Sequence, residues 1–159
     1  MFRLSKLTDY SIVLLSYFAH PEVGGAPLTA KSLSGTAEIP LPTVTKLLKK
    51  LAKAGLLDSQ RGVQGGYRLA RPADQITVLA VIAAIDGPVE LTDCAGTAPS
   101  GCELEGRCPS RSNWRRINDA VRHSLEALTI RDMTRPRPTP EASLVTLVRR
   151  ENQAEAKAP

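Results

Sequence analysis

The sequence predicts a mainly α-helical fold with one small β-hairpin, and three observations carry that expectation. Apolar residues recur every three or four positions through several separate segments, the spacing of a buried helix face. A glycine-rich stretch, Gln60-Arg61-Gly62-Val63-Gln64-Gly65-Gly66, lies between the short apolar runs Leu56-Leu57 and Tyr67-Arg68-Leu69, which is the pattern of a hairpin. Breaking residues at His20-Pro21, Gly24-Gly25, Gly55 and Asp86-Gly87-Pro88 punctuate the chain where each pattern stops. At 159 residues, 42% hydrophobic and 23% charged, the chain has the size and composition of one core-forming domain with a small appendage.

The first helix is expected from Leu4 to Ala19, with Leu4, Leu7, Leu14 and Phe18 on one face. Thr29 can cap a short second helix that runs through Ser34 and ends at Gly35. A third helix begins near Pro42, which suits a first helical turn because its missing N–H costs nothing there. It closes at Gly55-Leu56, a glycine stop followed by an apolar contact residue. Val44, Leu47, Leu48 and Leu51 cluster on one side of this helix, and Lys46, Lys49, Lys50 and Lys53 on nearly the opposite side. The hairpin follows, then a helix over Val78–Ile85 that is apolar nearly all round and therefore buried. A long helix is expected from Pro109 onward, carrying Trp114, Ile117, Val121, Leu125 and Leu128 in one seam.

A short helix, a tight turn, a longer basic helix and a basic hairpin make a winged helix-turn-helix. Charge agrees with that reading. The chain carries a formal +5, and residues 39–73 hold seven basic side chains against one acid, Asp58, so the remainder is slightly negative. A focused excess of this kind is a nucleic-acid footprint, and 4% aromatic residues leave little for stacking on single strands, so double-stranded DNA is the expected partner. The longest unbroken apolar run is the eight residues Val78–Ile85, against roughly 20 for a bilayer span, so no membrane partner is expected. The first ten residues carry Arg3, Lys6 and Asp9 where a signal core would be apolar, which points to the cytoplasm.

All three cysteines fall in one loop, as Cys94, Cys102 and Cys108 with spacing C-x7-C-x5-C. Zinc sites favour close pairs and four ligands, and neither His20 nor His123 lies in the loop, whereas thiolate-held iron–sulfur clusters accept wider spacings and a non-cysteine fourth ligand. Redox-active thiols remain an alternative. The apolar seam of the last helix has little core left to cover at the end of a small domain, which makes Trp114, Ile117, Val121 and Leu125 a homodimer interface matched to palindromic DNA. The expected units are a DNA-binding domain at 1–88, a cysteine loop at 89–109, a dimerisation helix at 110–133 and a flexible tail at 134–159.

Four stretches together resemble one family of winged-helix regulators. They are Leu4-Ser5-Lys6-Leu7-Thr8-Asp9-Tyr10, the Ile39-Pro40 turn with the helix end Lys53-Ala54-Gly55-Leu56, the wing Arg61 to Leu69, and the three-cysteine loop. The chain is similar over about residues 1–133 to the family typified by IscR, NsrR and RirA, the "Rrf two" family. Cys108-Pro109-Ser110-Arg111 with Trp114-Arg115-Arg116-Ile117 is most similar to the subgroup that regulates the SUF iron–sulfur assembly operon. The resemblance implies a homodimeric repressor of iron–sulfur assembly or iron homeostasis genes. It further implies that Cys94, Cys102 and Cys108 hold an iron–sulfur cluster, of 2Fe–2S or 4Fe–4S type, whose state sets DNA affinity.

By position, Pro42, Thr43, Thr45 and Lys46 would face base edges, Lys49 and Lys50 phosphates, and Arg61 with Gln64 the groove beside the wing. IscR-like members carry serine, glutamate and glutamine at the places of Pro42, Thr45 and Lys46, which implies a different target sequence. The histidine that serves IscR-like proteins as fourth ligand is replaced here by Arg111, which does not coordinate metal. Asp9 stands where NsrR-like proteins supply an aspartate from the partner subunit, and it is the fourth-ligand candidate. A winged-helix regulator that switches by thiol/disulfide chemistry without a cluster is the nearest rival. A pure interaction module is a second, and an enzyme is disfavoured because no acid/base constellation accompanies the two histidines.

Overall fold

A computed structural model describes residues 4–62, 65–95, 102–103 and 105–134. Helix α1 (Lys6–Phe18) is capped by Ser5, whose hydroxyl accepts from the Thr8 N–H at 3.2 Å, and it buries Thr8, Ser11, Leu14, Leu15 and Phe18. Leu4 precedes the helix and is exposed, so it does not belong to the buried face. Helix α2 (Ala30–Ala37) is capped by the Thr29 hydroxyl, as the sequence suggested, but it runs through Gly35 and stops at Glu38 in a left-handed conformation (φ 54°). Gly35 is exposed, where a single glycine costs a helix only about 1 kcal/mol, and continuing one turn lets Ala37 pack on the core.

Helix α3 (Leu41–Lys53) follows after a turn of three residues, closing the helix-turn-helix. Its end is a Schellman stop: Leu56 N–H donates to Leu51 O at 3.0 Å and Gly55 N–H to Ala52 O at 3.0 Å. Gly55 supplies the required positive φ of 70°. Strands β1 (Leu57–Gln60) and β2 (Gly66–Leu69) pair antiparallel, with Leu57 opposite Leu69 and Gln60 opposite Gly66. Leu28 adds a third, single-residue rung by exchanging two 2.8 Å backbone bonds with Tyr67. This approach explains Gly66, where a Cβ would lie 2.7 Å from the Leu28 carbonyl oxygen.

Helix α4 (Val78–Ile85), capped by Thr77, buries Val78, Val81, Ile82 and Ile85. It is not covered all round, because Ala83 is exposed. The main core joins α1, α2, α3 and the hairpin around Leu14, Leu47, Leu48, Leu51 and Ile76, and a second small cluster gathers Val78, Ile82 and Val89.

The single long helix expected over 110–133 is two helices, α5 (Arg111–Glu126) and α6 (Ile130–Thr134). Between them the chain turns back: Val78 N–H donates to Leu128 O at 2.8 Å and Ile130 N–H to Ile76 O at 2.9 Å. Ile130, wholly buried, completes the main core, and the free energy of burying it decides the break. Thr129 and Asp132 form a reciprocal cap at the start of α6, the Asp132 carboxylate accepting from Thr129 N–H at 3.0 Å while Thr129 Oγ1 accepts from Asp132 N–H at 3.2 Å. The fold is thus a mainly helical winged helix-turn-helix with a two-stranded wing. Among the described residues no helix is long and apolar enough to cross a membrane.

Candidate nucleic-acid interface and cysteine loop

The orientation of α3 follows from its apolar side. Val44, Leu47, Leu48 and Leu51 are completely buried, so the opposite arc of the helix must face outward. At about 100° per residue, Pro42, Lys46, Lys49 and Lys53 fall together in that arc, and all four are exposed. Thr43 and Thr45 flank them and are half-buried. The wing continues the surface: Arg61 is exposed just after β1, and an open groove between α3 and the hairpin is bordered by Lys49, Gln60, Arg61 and Tyr67. Gln64 lies outside the described residues.

Lys50 departs from the place expected of it. Its side chain is half-buried and turned toward α4, where Nζ donates to Ile85 O at 3.1 Å, so its ammonium satisfies a carbonyl at that helix's C-terminal end. On the helical projection Lys50 sits at the flank of the basic arc nearest the leucines, which puts α4 within its reach. Arg68 is also partly engaged, with Nε 3.7 Å from the Asp58 carboxylate across the strand pair. Gln60, at the end of β1, borders the same groove and is not among the residues the sequence analysis places there.

Next to Lys50 lies Asp86. Its carboxylate accepts from Ser5 Oγ at 2.6 Å, Thr8 Oγ1 at 2.8 Å and Ser5 N–H at 3.2 Å, tying the start of α1 to the end of α4. Partial burial works against its ionisation, but the Ser5 and Thr8 hydrogen bonds and the Lys50 charge outweigh that and hold the carboxyl below its ordinary value.

The cysteine loop is anchored at both ends. Near its start, Leu91 N–H donates to the Oδ1 of buried Asn118 on α5 at 3.1 Å, and Cys94 is buried in a 3-10 turn, Asp93–Ala95, with Sγ 3.5 Å from Thr92 Oγ1. At its end, Cys108 O accepts from Arg111 N–H at 3.4 Å as α5 begins. Cys102 and Cys108 are half-buried, and all three thiols are free of disulfides. Three cysteines outside disulfides in one loop are the right donor chemistry for a thiolate-held cluster. Among the described residues, however, no three His, Cys, Asp or Glu side chains come together as a metal site. Asp9 is exposed in the first turn of α1.

The seam of α5 is divided. Val121 and Leu125 are half-buried and pack against Val78, Ile82 and Val89 of the same chain. Trp114 and Ile117 face outward at 40% and 47% exposure.

A family model described as "Rrf2: Iron-dependent Transcriptional regulator" matches residues 4–136. The chain is 34% identical over 132 residues to the HTH-type transcriptional regulator IscR of Aliivibrio salmonicida (strain LFI1238), covering 82% of this chain and 76% of that one. Among solved structures it is similar to CymR (YrzC), the global cysteine regulator of B. subtilis, with TM-score 0.64, 29% identity and coverage of 84% and 97%. It is also similar to T. potens IscR, with TM-score 0.60, 26% identity and coverage of 83% and 85%. The matched family and the named curated relative are transcriptional regulators, not enzymes.

Proposed function

The chain belongs to the Rrf2 family of transcriptional regulators, which bind DNA, and from that premise we propose that it is a homodimeric repressor whose operator affinity is set at its cysteine loop. The observation that carries the DNA side is the complete burial of Val44, Leu47, Leu48 and Leu51, which leaves the basic arc of α3 beside the wing as the outward surface. Pro42, Thr43, Thr45 and Lys46 meet base edges in the major groove, Lys49 a phosphate, and Arg61 with Gln64 the adjacent groove. Trp114 and Ile117 form the center of the contact with a second copy, placing two recognition helices on a palindromic site.

Cys94, Cys102 and Cys108 would hold an iron–sulfur cluster, with Asp9 from the partner subunit as the fourth-ligand candidate, and the regulated genes are those of iron–sulfur assembly or iron homeostasis. A bound cluster supplies a redox- and iron-sensitive link between thiolates that the chain alone leaves apart. The chain's own part is to fix Cys94 in its 3-10 turn, pinned through Leu91 to Asn118, and to set Cys108 directly before α5.

The test is an anaerobic absorption spectrum of fresh protein, with iron and acid-labile sulfide determined on the same sample and duplex binding measured before and after removal of iron. Matched iron and sulfide, broad bands in the visible and a changed affinity are expected. A second reading is favoured because the three cysteines do not come together as a metal site among the described residues: switching by thiol oxidation without a cluster. It requires colourless protein, free of iron after reconstitution, whose affinity changes with peroxide.

A further inference from the structure

We propose that Lys50 and Asp86 are a positioning pair for DNA recognition: they lock the recognition helix α3 to the C-terminal end of α4 and the N-terminal end of α1, and neither touches the nucleic acid. Three helix ends or flanks meet at this point. Lys50, from the side of α3, donates to Ile85 O at 3.1 Å. The next residue along the chain, Asp86, gives all its carboxylate bonds to Ser5 and Thr8 at the beginning of α1. Gly87 then turns the chain away with φ 97°, toward Val89 and the cysteine loop.

The leucine face of α3 fixes its distance from the core but constrains rotation and tilt less, because apolar contacts are non-directional. A charge-assisted hydrogen bond at the edge of that face supplies the missing direction. Its acceptor lies at the negative end of the α4 dipole, where an ammonium is favoured, and the adjacent Asp86 carboxylate adds a like attraction. Base readout needs a side chain placed to within a fraction of an ångström, so a small rotation of α3 would weaken specific binding while leaving the phosphate charge count as it was.

This inference rests on the reading that α3 faces DNA, and the experiment separates the two. A short labelled duplex selected by the wild-type protein from a random pool, and a duplex of unrelated sequence, are titrated at several salt concentrations with full-length wild type, K49M, K50M and D86N. K49M tests the α3 reading: loss of a phosphate contact lowers the log–log salt slope by about 0.9 per contact, and an unchanged slope would remove α3 from the interface. For the positioning pair, K50M is expected to bind the selected duplex about tenfold more weakly, with wild-type slope and with the discrimination between the two duplexes reduced. D86N gives an opposite-sign control. Removing a negative charge beside a DNA-binding face should strengthen binding if only charge matters, whereas the positioning pair requires weaker binding to the selected duplex. A K50M slope reduced like that of K49M, unaltered discrimination in K50M, or tighter selected binding by D86N would each overturn the proposal.

Discussion

The helix–hairpin unit spanning α3 and the wing contrasts with the loop–helix unit of the cysteines and α5. In the first, Val44, Leu47, Leu48 and Leu51 on the α3 inner face are fully buried, the helix ends in a complete Schellman stop, and the hairpin is braced by a third rung from Leu28. In the second, the three thiols are not gathered and Trp114 and Ile117 stand exposed. The first unit is finished by its own chain, so its cationic surface is preorganised for a rigid duplex. The second leaves Trp114 and Ile117 uncovered, and exposed apolar side chains close together are a natural place for another molecule to bind.

This contrast can be broken most severely at the α3 core. Leu48→Ala should lower the stability of the whole domain by about 2–5 kcal/mol, seen as a reduced urea midpoint, because a wholly buried side chain leaves a cavity. An equal effect from Ile117→Ala would erase the distinction between the units, since Ile117 is 47% exposed. Next in size is Gly66→Ala, whose added Cβ meets the Leu28 backbone. It should cost about 1–3 kcal/mol in the same melt and weaken duplex binding through the displaced wing.

On the other side, Ile117→Asp should leave the thermal midpoint within a few degrees of wild type at low protein concentration while shifting the sedimenting species from dimer to monomer. A persistent dimer would move the interface elsewhere. The smallest effect concerns Asp86. Its folded carboxyl titrates below the ordinary 3.8, so its contribution to stability is present above that value and lost as pH falls through the lowered one. Wild type and D86N should therefore differ in urea midpoint at neutral pH and converge in acid; a gap that widened instead would reverse the assigned sign.

Local signals made much of the helix–hairpin unit readable. The Thr29 cap, the Gly55-Leu56 stop and Gly65 of the wing each act through backbone a few residues away, so their meaning survives without tertiary context, whereas Gly66 answers to distant Leu28. The Thr129-x-x-Asp132 capping box was equally local and marks the start of α6, yet the periodic seam from Trp114 to Leu128 hid it. Periodicity reports that a face is apolar and is silent on what covers it, so the packing of Val121 and Leu125 against Val78 and Ile82 of their own chain is not legible in the seam. The engagement of Lys50 is hidden for a related reason: four lysines on one side of a helix look equivalent until the end of α4, distant in sequence, is brought beside one of them.

The amino-acid sequence by itself determined the helix-turn-helix, the wing, the basic arc of α3 and the grouping of the cysteines, because capping, glycine backbone freedom and amphipathic spacing act over a few residues. Only the tertiary structure decided the break before α6, the bond from Lys50 to the end of α4 and the division of the α5 seam. Each depends on a contact between segments far apart along the chain, where the burial of Ile130 or a single carbonyl at Ile85 outweighs the local pattern.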